Sequence, residues 1–182
     1  MEQIRAGKSL EDAREGGCSG CIETGSFGKE AYILTGYLNL PKILELVLNN
    51  GIDPVSGKAV GLATGAPDGF EGFDDLFDAF VKQLNHVVDL KIKVNNIIER
   101  LYAASAPAPF LSVVIQDCIA NGRDYYDGGP RYNTNYIQCC GIGTVTDSLS
   151  AIKVHVYERR AMDLNSLVGV LKTNFDGQET LR

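Results

Sequence analysis

The chain has 182 residues, and its 17 Lys and Arg against 23 Asp and Glu give a formal charge of −6. This acidic balance excludes non-specific nucleic-acid binders, which need a basic face against phosphates. No apolar run approaches the roughly 18 residues of a transmembrane helix, and the N-terminus lacks the apolar core of a signal peptide. Five cysteines, an odd number, suit a reducing compartment better than a disulfide framework. We therefore expect a soluble cytoplasmic protein with neither a nucleic-acid nor a membrane partner.

The first fifty residues predict an arm, a loop and a helix. Residues 1–12 are polar and charged, which is typical of a helix end or a loose arm. Residues 15–28 contain five glycines without periodicity and predict a loop, but neither G-x-x-x-x-G-K-[ST] nor G-x-G-x-x-G occurs, which argues against a phosphate cradle. A helix is predicted over 41–49, capped by Asn39. Its apolar residues surround most of the circumference, so we expect it to be covered on nearly all sides.

The rest of the chain is predicted to be mainly helical. Apolar residues from 73 to 102 step by three and four and predict a helix of about 45 Å, which we expect to be a strut in a larger protein. The apolar run 110–115 predicts a buried strand, and residues 123–143 a glycine- and aromatic-rich loop. Three further helices are predicted, over residues 117–121, 146–157 and 163–173. Because so few strands are predicted, we expect any sheet to be completed by segments outside this sequence.

Two cysteines near the N-terminus have C-x-x-C spacing, which serves both dithiol redox pairs and half of a zinc site. A zinc site would need a second such pair, and the adjacent Cys139 and Cys140 have diverging side chains. A redox pair would follow a buried strand and open a helix, and no strand is predicted before Cys18. Both alternatives stay open, but we expect no bound metal.

Cys21 and Glu23 offer a different chemistry, because residues two apart in an extended loop point to the same side. A thiol can act as a nucleophile or a hydrogen-atom donor, and a carboxylate can act as a general acid or base. From the residues alone, a buried cysteine beside a solvated glutamate is the commoner arrangement.

Several motifs carry a resemblance that covers essentially the whole chain. They are DAR at 12–14, GCIE at 20–23, GGPRYN at 128–133 and LKTNFDG at 171–177. In this order they resemble the glycyl radical enzymes of the pyruvate formate-lyase-like family. Residues 19–25 and 29–37 are most similar to the branch of the family that dehydrates trans-4-hydroxy-L-proline.

The resemblance implies an α/β fold, with residues 1–182 forming a helix-rich part of one ten-stranded barrel domain without an internal boundary. It implies that Cys21 is the thiyl radical cysteine, Glu23 the acid/base and Tyr37, more weakly, a residue lining the substrate pocket. The implied activity is dehydration of a hydroxylated small molecule, with a glycyl radical installed by a radical S-adenosylmethionine activating enzyme. A homodimer is implied for the full-length enzyme. The alternatives are another glycyl radical enzyme (diol dehydratase, choline-type lyase or formate C-acetyltransferase) or a non-catalytic remnant of the fold.

One departure from the family concerns the radical site itself. The R-V-x-G-Y-type segment that carries the glycyl radical does not occur in this sequence, nor does the first half of the barrel. We therefore expect the chain to be an internal fragment of a longer enzyme, inactive alone. The adjacent Cys139 and Cys140 lie downstream of the GGPRYN motif, and we interpret them as structural.

Overall fold

The computed structural model describes residues 1–20 and 22–182. These residues form two compact units, each built from two segments of the chain. Unit 1 comprises Met1–Tyr37 and Ile92–Gln138, and unit 2 comprises Leu38–Lys91 and Cys139–Arg182. The predicted absence of an internal boundary stays a prediction.

The described residues contain eight α-helices and four strands. The helices are α1 (Glu2–Arg5), α2 (Leu10–Arg14), α3 (Leu40–Leu48), α4 (Phe73–Ser105), α5 (Pro109–Val114), α6 (Cys118–Asn121), α7 (Ile142–Ile152) and α8 (Leu164–Lys172). The strands are β1 (Gly17–Cys18), β2 (Thr24–Gly25), β3 (Glu30–Asn39) and β4 (Tyr132–Cys140). Short 3₁₀ turns lie at Pro67–Gly69 and Tyr125–Asp127, and a π-helical turn at Lys153–Glu158 continues α7. The predicted α/β class, rich in helix, is confirmed.

The helices with strong local signals are confirmed. Asn39 caps α3 by accepting a hydrogen bond from the Lys42 N–H at 3.3 Å, and the left-handed Gly122 ends α6. The long helix is confirmed as α4, and Asp163 caps α8 through the Ser166 N–H. These elements could be predicted because caps and helical periodicity are local properties of a sequence.

The prediction of a buried strand over 110–115 is wrong, because this segment forms helix α5. Pro109 occupies the first turn, and the Ser112 hydroxyl lies 2.8 Å from both the Ala108 carbonyl and the Asp124 carboxylate. Phe110 is 87% exposed rather than buried. A short apolar run fits a strand and a helix equally well, and here the proline and the serine favour the helix.

Two segments predicted as loops contain strands. The glycine-rich stretch 15–28 includes β1 and β2, which form an antiparallel pair. The stretch 123–143 includes all of β4, which pairs with β3 in a second two-stranded sheet. β3 itself was not predicted, because the partner that stabilises it lies about one hundred residues away in the sequence.

Each unit has its own core. In unit 1, Ala31 and Ile33 of β3 pack with Tyr125. In unit 2, α3 packs against α7 and is covered on nearly all sides, as predicted. Its buried residues are Leu40, Ile43, Leu44, Leu46, Val47 and Leu48. Within residues 1–20 and 22–182, no helix combines the length and the apolar character needed to cross a membrane.

Candidate functional site: the cysteine hairpin

Strands β1 and β2 form an antiparallel hairpin, with Gly17 opposite Gly25 and Cys18 opposite Thr24. The described residues 19, 20, 22 and 23 form the connection between the strands, and we call residues 17–20 and 22–25 the cysteine hairpin. The Ser19 N–H donates to the Glu23 carbonyl at 2.8 Å, and the Ser19 hydroxyl donates to the Glu23 carboxylate. Glu23 is half-buried. Ser19, at the other end of the connection, therefore holds both the backbone and the carboxylate of Glu23.

The hairpin lies against a crowded surface of unit 1. A Cβ atom built at Gly25 would lie 2.5 Å from the Tyr32 hydroxyl oxygen and would also collide with the Glu30 carboxylate. Only glycine allows β2 to approach these two side chains so closely.

A buried carboxylate anchors the end of the hairpin. The Glu30 side chain is fully buried and accepts hydrogen bonds from the Ser26 N–H at 2.8 Å and the Thr134 hydroxyl at 2.5 Å. The Lys8 ammonium donates to the same carboxylate and lies 5.5 Å from the centre of the Tyr132 ring. One buried charge thus joins the N-terminal arm, the residue after the hairpin and strand β4.

A second carboxylate, Asp12, brings two of the quoted motifs together. It accepts from the Lys29 ammonium at 2.5 Å and from the Tyr132 hydroxyl at 2.7 Å, and Arg131 lies 3.4 Å away. The hydrogen bond from Lys29, followed by that from Tyr132, holds the pKa of Asp12 well below its usual value of 3.8. Asp12 therefore stays ionised and links the DAR segment to GGPRYN.

Arg131 also pairs with Asp117 at the start of α6. Its Nε donates to one carboxylate oxygen at 2.9 Å and its Nη2 to the other at 3.3 Å. This bidentate geometry lowers the pKa of Asp117 and raises that of Arg131. Asp117 has a left-handed backbone (φ 74°), and the paired guanidinium lies beside this strained position.

Two tyrosines lie beside the hairpin. The rings of Tyr32 and Tyr136 stack with centroids 6.0 Å apart and planes inclined by 8°. The Tyr136 hydroxyl donates to the Thr24 carbonyl at 2.9 Å, whereas the buried Tyr32 hydroxyl has no hydrogen-bond partner among the described residues. Burial is the main cause that raises the pKa of both phenols to about 12, so both remain protonated donors.

Of the three predicted site residues, the structure describes Glu23 and Tyr37. Cys21 lies outside the described residues, and Glu23 lies in the hairpin connection. Tyr37 is 64% exposed, near the end of β3. Cys18 is an exposed free thiol. Within residues 1–20 and 22–182, no group of three or more His, Cys, Asp or Glu side chains is placed to hold a metal ion.

Sequence reasoning missed the residues that support the hairpin. Tyr32 and Glu30 lie in the 29–37 run quoted for the resemblance, but nothing local marked them as supports. Lys8 was assigned to a helix end or a loose arm, and Tyr136 to a loop. Their contacts with the hairpin region depend on tertiary structure.

Comparisons with known proteins identify the family of the chain. The model of the pyruvate formate lyase-like proteins matches residues 1–182. The chain belongs to the pyruvate formate lyase-like family. It is 54% identical over 181 residues to a trans-4-hydroxy-L-proline dehydratase from Clostridioides difficile, covering 100% of this chain and 23% of the relative.

Two solved structures of this family resemble the chain. A crystal structure of hydroxyproline dehydratase from Clostridioides difficile with trans-4-hydroxy-L-proline bound matches with a TM-score of 0.90, covering 98% of this chain and 23% of that one. A glycyl radical enzyme from Archaeoglobus fulgidus is 31% identical with a TM-score of 0.83, covering 98% of this chain and 22% of that one. The chain thus spans about a quarter of the length of these relatives.

Proposed function

We propose that the full-length protein is a glycyl radical dehydratase that eliminates water from trans-4-hydroxy-L-proline. The observation that carries this proposal is the 54% identity to a dehydratase of that substrate, over 181 residues. The anchoring of the cysteine hairpin supports it, because radical chemistry on a bound substrate needs reacting groups at fixed separations.

In this proposal Cys21 carries the hydrogen atom and Glu23 is the general acid and base. The glycyl radical, installed by a radical S-adenosylmethionine activating enzyme, would supply the abstraction that converts the Cys21 thiol into a thiyl radical. Cys21 then takes a hydrogen atom from the substrate carbon next to the hydroxylated carbon, so that an S–H bond forms as a C–H bond breaks. The Glu23 carboxylate takes a proton from the substrate radical and delivers it to the departing hydroxide, which leaves as water as the C–O bond breaks, and Cys21 finally returns its hydrogen atom to the product radical.

The residues around the hairpin suit such a relay. Tyr32 and Tyr136 remain protonated at neutral pH, so the phenols nearest the hairpin add no negative charge beside the Glu23 carboxylate. Glu23 is half-buried and bonded to the Ser19 hydroxyl, which restricts its movement. A carboxylate restricted in this way can transfer a proton at one defined place on a substrate.

The remaining parts of the proposal concern the pocket and the partners. Tyr37 is proposed to line the proline-type pocket, and its exposure leaves its ring free to contact a substrate. The partners proposed are the activating enzyme and a second copy of the full-length chain. Anaerobic, cytoplasmic conditions suit a thiyl radical, which oxygen and solvent quench.

The test is anaerobic activation of the full-length protein with trans-4-hydroxy-L-proline, combining product analysis with spin quantification. Cys21→Ala and Cys21→Ser should abolish turnover, since neither side chain can relay the hydrogen atom. Glu23→Gln should preserve the glycyl radical signal but slow dehydration by about 10²–10⁴-fold, because an amide cannot shuttle the proton.

Cys18→Ser is the matched control, since it changes a thiol in the same hairpin. The radical mechanism needs only Cys21, so Cys18→Ser should stay active, whereas a C-x-x-C dithiol or metal site would fail without Cys18. Loss of activity in Cys18→Ser together with near-normal activity in Glu23→Gln would refute the proposed roles. A wild-type enzyme that carries the radical but leaves trans-4-hydroxy-L-proline unchanged would refute the substrate.

A further inference from the structure

Thr24, the residue directly after Glu23, is held by two side chains from distant parts of unit 1. The Tyr136 hydroxyl donates to its carbonyl at 2.9 Å, and the Gln3 amide donates to its hydroxyl at 2.8 Å. Thr24 is exposed, so burial does not fix its position. These hydrogen bonds therefore restrain the hairpin strand that leads out of Glu23.

Tyr136 is itself oriented by its neighbour on β3. Its ring lies nearly parallel to that of Tyr32, and stacking of this kind fixes the plane in which the Tyr136 hydroxyl projects. The Tyr32 hydroxyl has no partner among the described residues, so this support comes from the ring. The orientation of Tyr136 thus depends on an aromatic side chain at position 32 and not on a phenol there.

We propose that Tyr136 is a positioning residue for Glu23, acting through the Thr24 carbonyl with the Tyr32 ring as its support. The inference rests on the proposed function, in which Glu23 transfers a proton. Thr24 follows Glu23 directly, so a shift of the Thr24 peptide moves the Glu23 backbone and swings its carboxylate. Misplacement of a reacting group by about 1 Å can cost about a hundredfold in rate.

The experiment compares Tyr136→Phe with wild type in the full-length, anaerobically activated enzyme acting on trans-4-hydroxy-L-proline. We expect kcat to fall by about 10- to 100-fold, with KM, radical yield and Tm nearly unchanged, because the phenylalanine ring still stacks and only the hydroxyl is lost. Tyr32→Leu, which removes the ring, should reproduce this defect, whereas the conservative Tyr32→Phe, which keeps the ring, should retain the activity that Tyr32→Leu loses. Tyr126→Phe removes a phenol hydroxyl elsewhere in unit 1 and should leave kcat unchanged.

A double variant separates positioning from general structural damage. If Tyr136 acts through Glu23, then Tyr136→Phe combined with Glu23→Gln should be no slower than Glu23→Gln alone, since the carboxylate being positioned is already gone. Effects that multiply in the double variant would overturn the proposal, and so would a Tyr136→Phe enzyme with normal kcat.

A readout without catalysis distinguishes failure of this inference from failure of the proposed function. In the unactivated full-length protein, Tyr136→Phe should accelerate hydrogen exchange across residues 17–25 by about tenfold. The reason is that loss of a typical hydrogen bond raises the population of the locally open hairpin by about that factor. A wild type that is inactive on trans-4-hydroxy-L-proline would refute the function but leave this effect measurable. Unchanged exchange in the hairpin would refute the role of Tyr136 whatever the substrate.

Discussion

Replacing Glu30 by Gln removes the charge that the buried Lys8 ammonium faces beneath the cysteine hairpin. The exposed fractions of the two side chains are 4% for Lys8 and 0% for Glu30, so water cannot replace the lost partner. Gln keeps the shape of Glu and can still accept from the Ser26 N–H. The substitution therefore tests the charge rather than the packing.

The cost follows from leaving an ammonium buried without its counter-charge. Removing one partner of a buried ion pair typically costs about 3–5 kcal/mol. Lys8 keeps a hydrogen bond to the Gln3 side-chain oxygen and its contact with the Tyr132 ring, which favours the lower end, about 3 kcal/mol. Native proteins are stable by only about 5–15 kcal/mol, so this is a large share.

The assay is native-state hydrogen exchange in the full-length protein, followed at the Ser26 amide, which donates directly to Glu30. A loss of about 3 kcal/mol should accelerate its exchange by about a hundredfold. In the double variant Lys8→Met with Glu30→Gln, much of the protection should return, because no unpaired ammonium remains. An exchange rate within about twofold of wild type in Glu30→Gln, or additive effects in the double variant, would refute the reasoning.

Two further predictions concern acid stability and the long helix. The pKa of Asp12 in the folded state lies below its usual 3.8, so its ionisation stabilises the fold above about pH 4, and this contribution is lost as pH falls towards the lowered value. Asp12→Asn should therefore lower the Tm at neutral pH and reduce its fall on acidification to about pH 3, and an unchanged pH profile would contradict this. On α4, Leu76→Ala should cost about 2–5 kcal/mol in urea unfolding because Leu76 is fully buried, whereas Leu90→Ala, at a position 43% exposed, should cost less than about 1 kcal/mol. Equal losses in the two variants would contradict this placement of the helix.

The sequence by itself determined the elements whose signals are local. The cap Asn39 and the periodic apolar residues of α4 predicted helices that the structure contains, because a helix is stabilised by residues three and four positions apart. The short motifs also indicated the family, since they are read directly as runs of residues. The run 110–115 shows the limit of such local signals, because its apolar residues fit a strand as well as a helix.

Tertiary structure decided the surroundings of the candidate site. The bonds from Thr134 to Glu30, from Tyr132 to Asp12 and from Tyr136 to Thr24 join residues 104, 120 and 112 positions apart. Burial in a folded core brings such partners together, and no local periodicity records which of them meet. The sequence could therefore nominate Cys21 and Glu23, but the tyrosines and the buried ion pair that support the cysteine hairpin became visible only once the strands had paired.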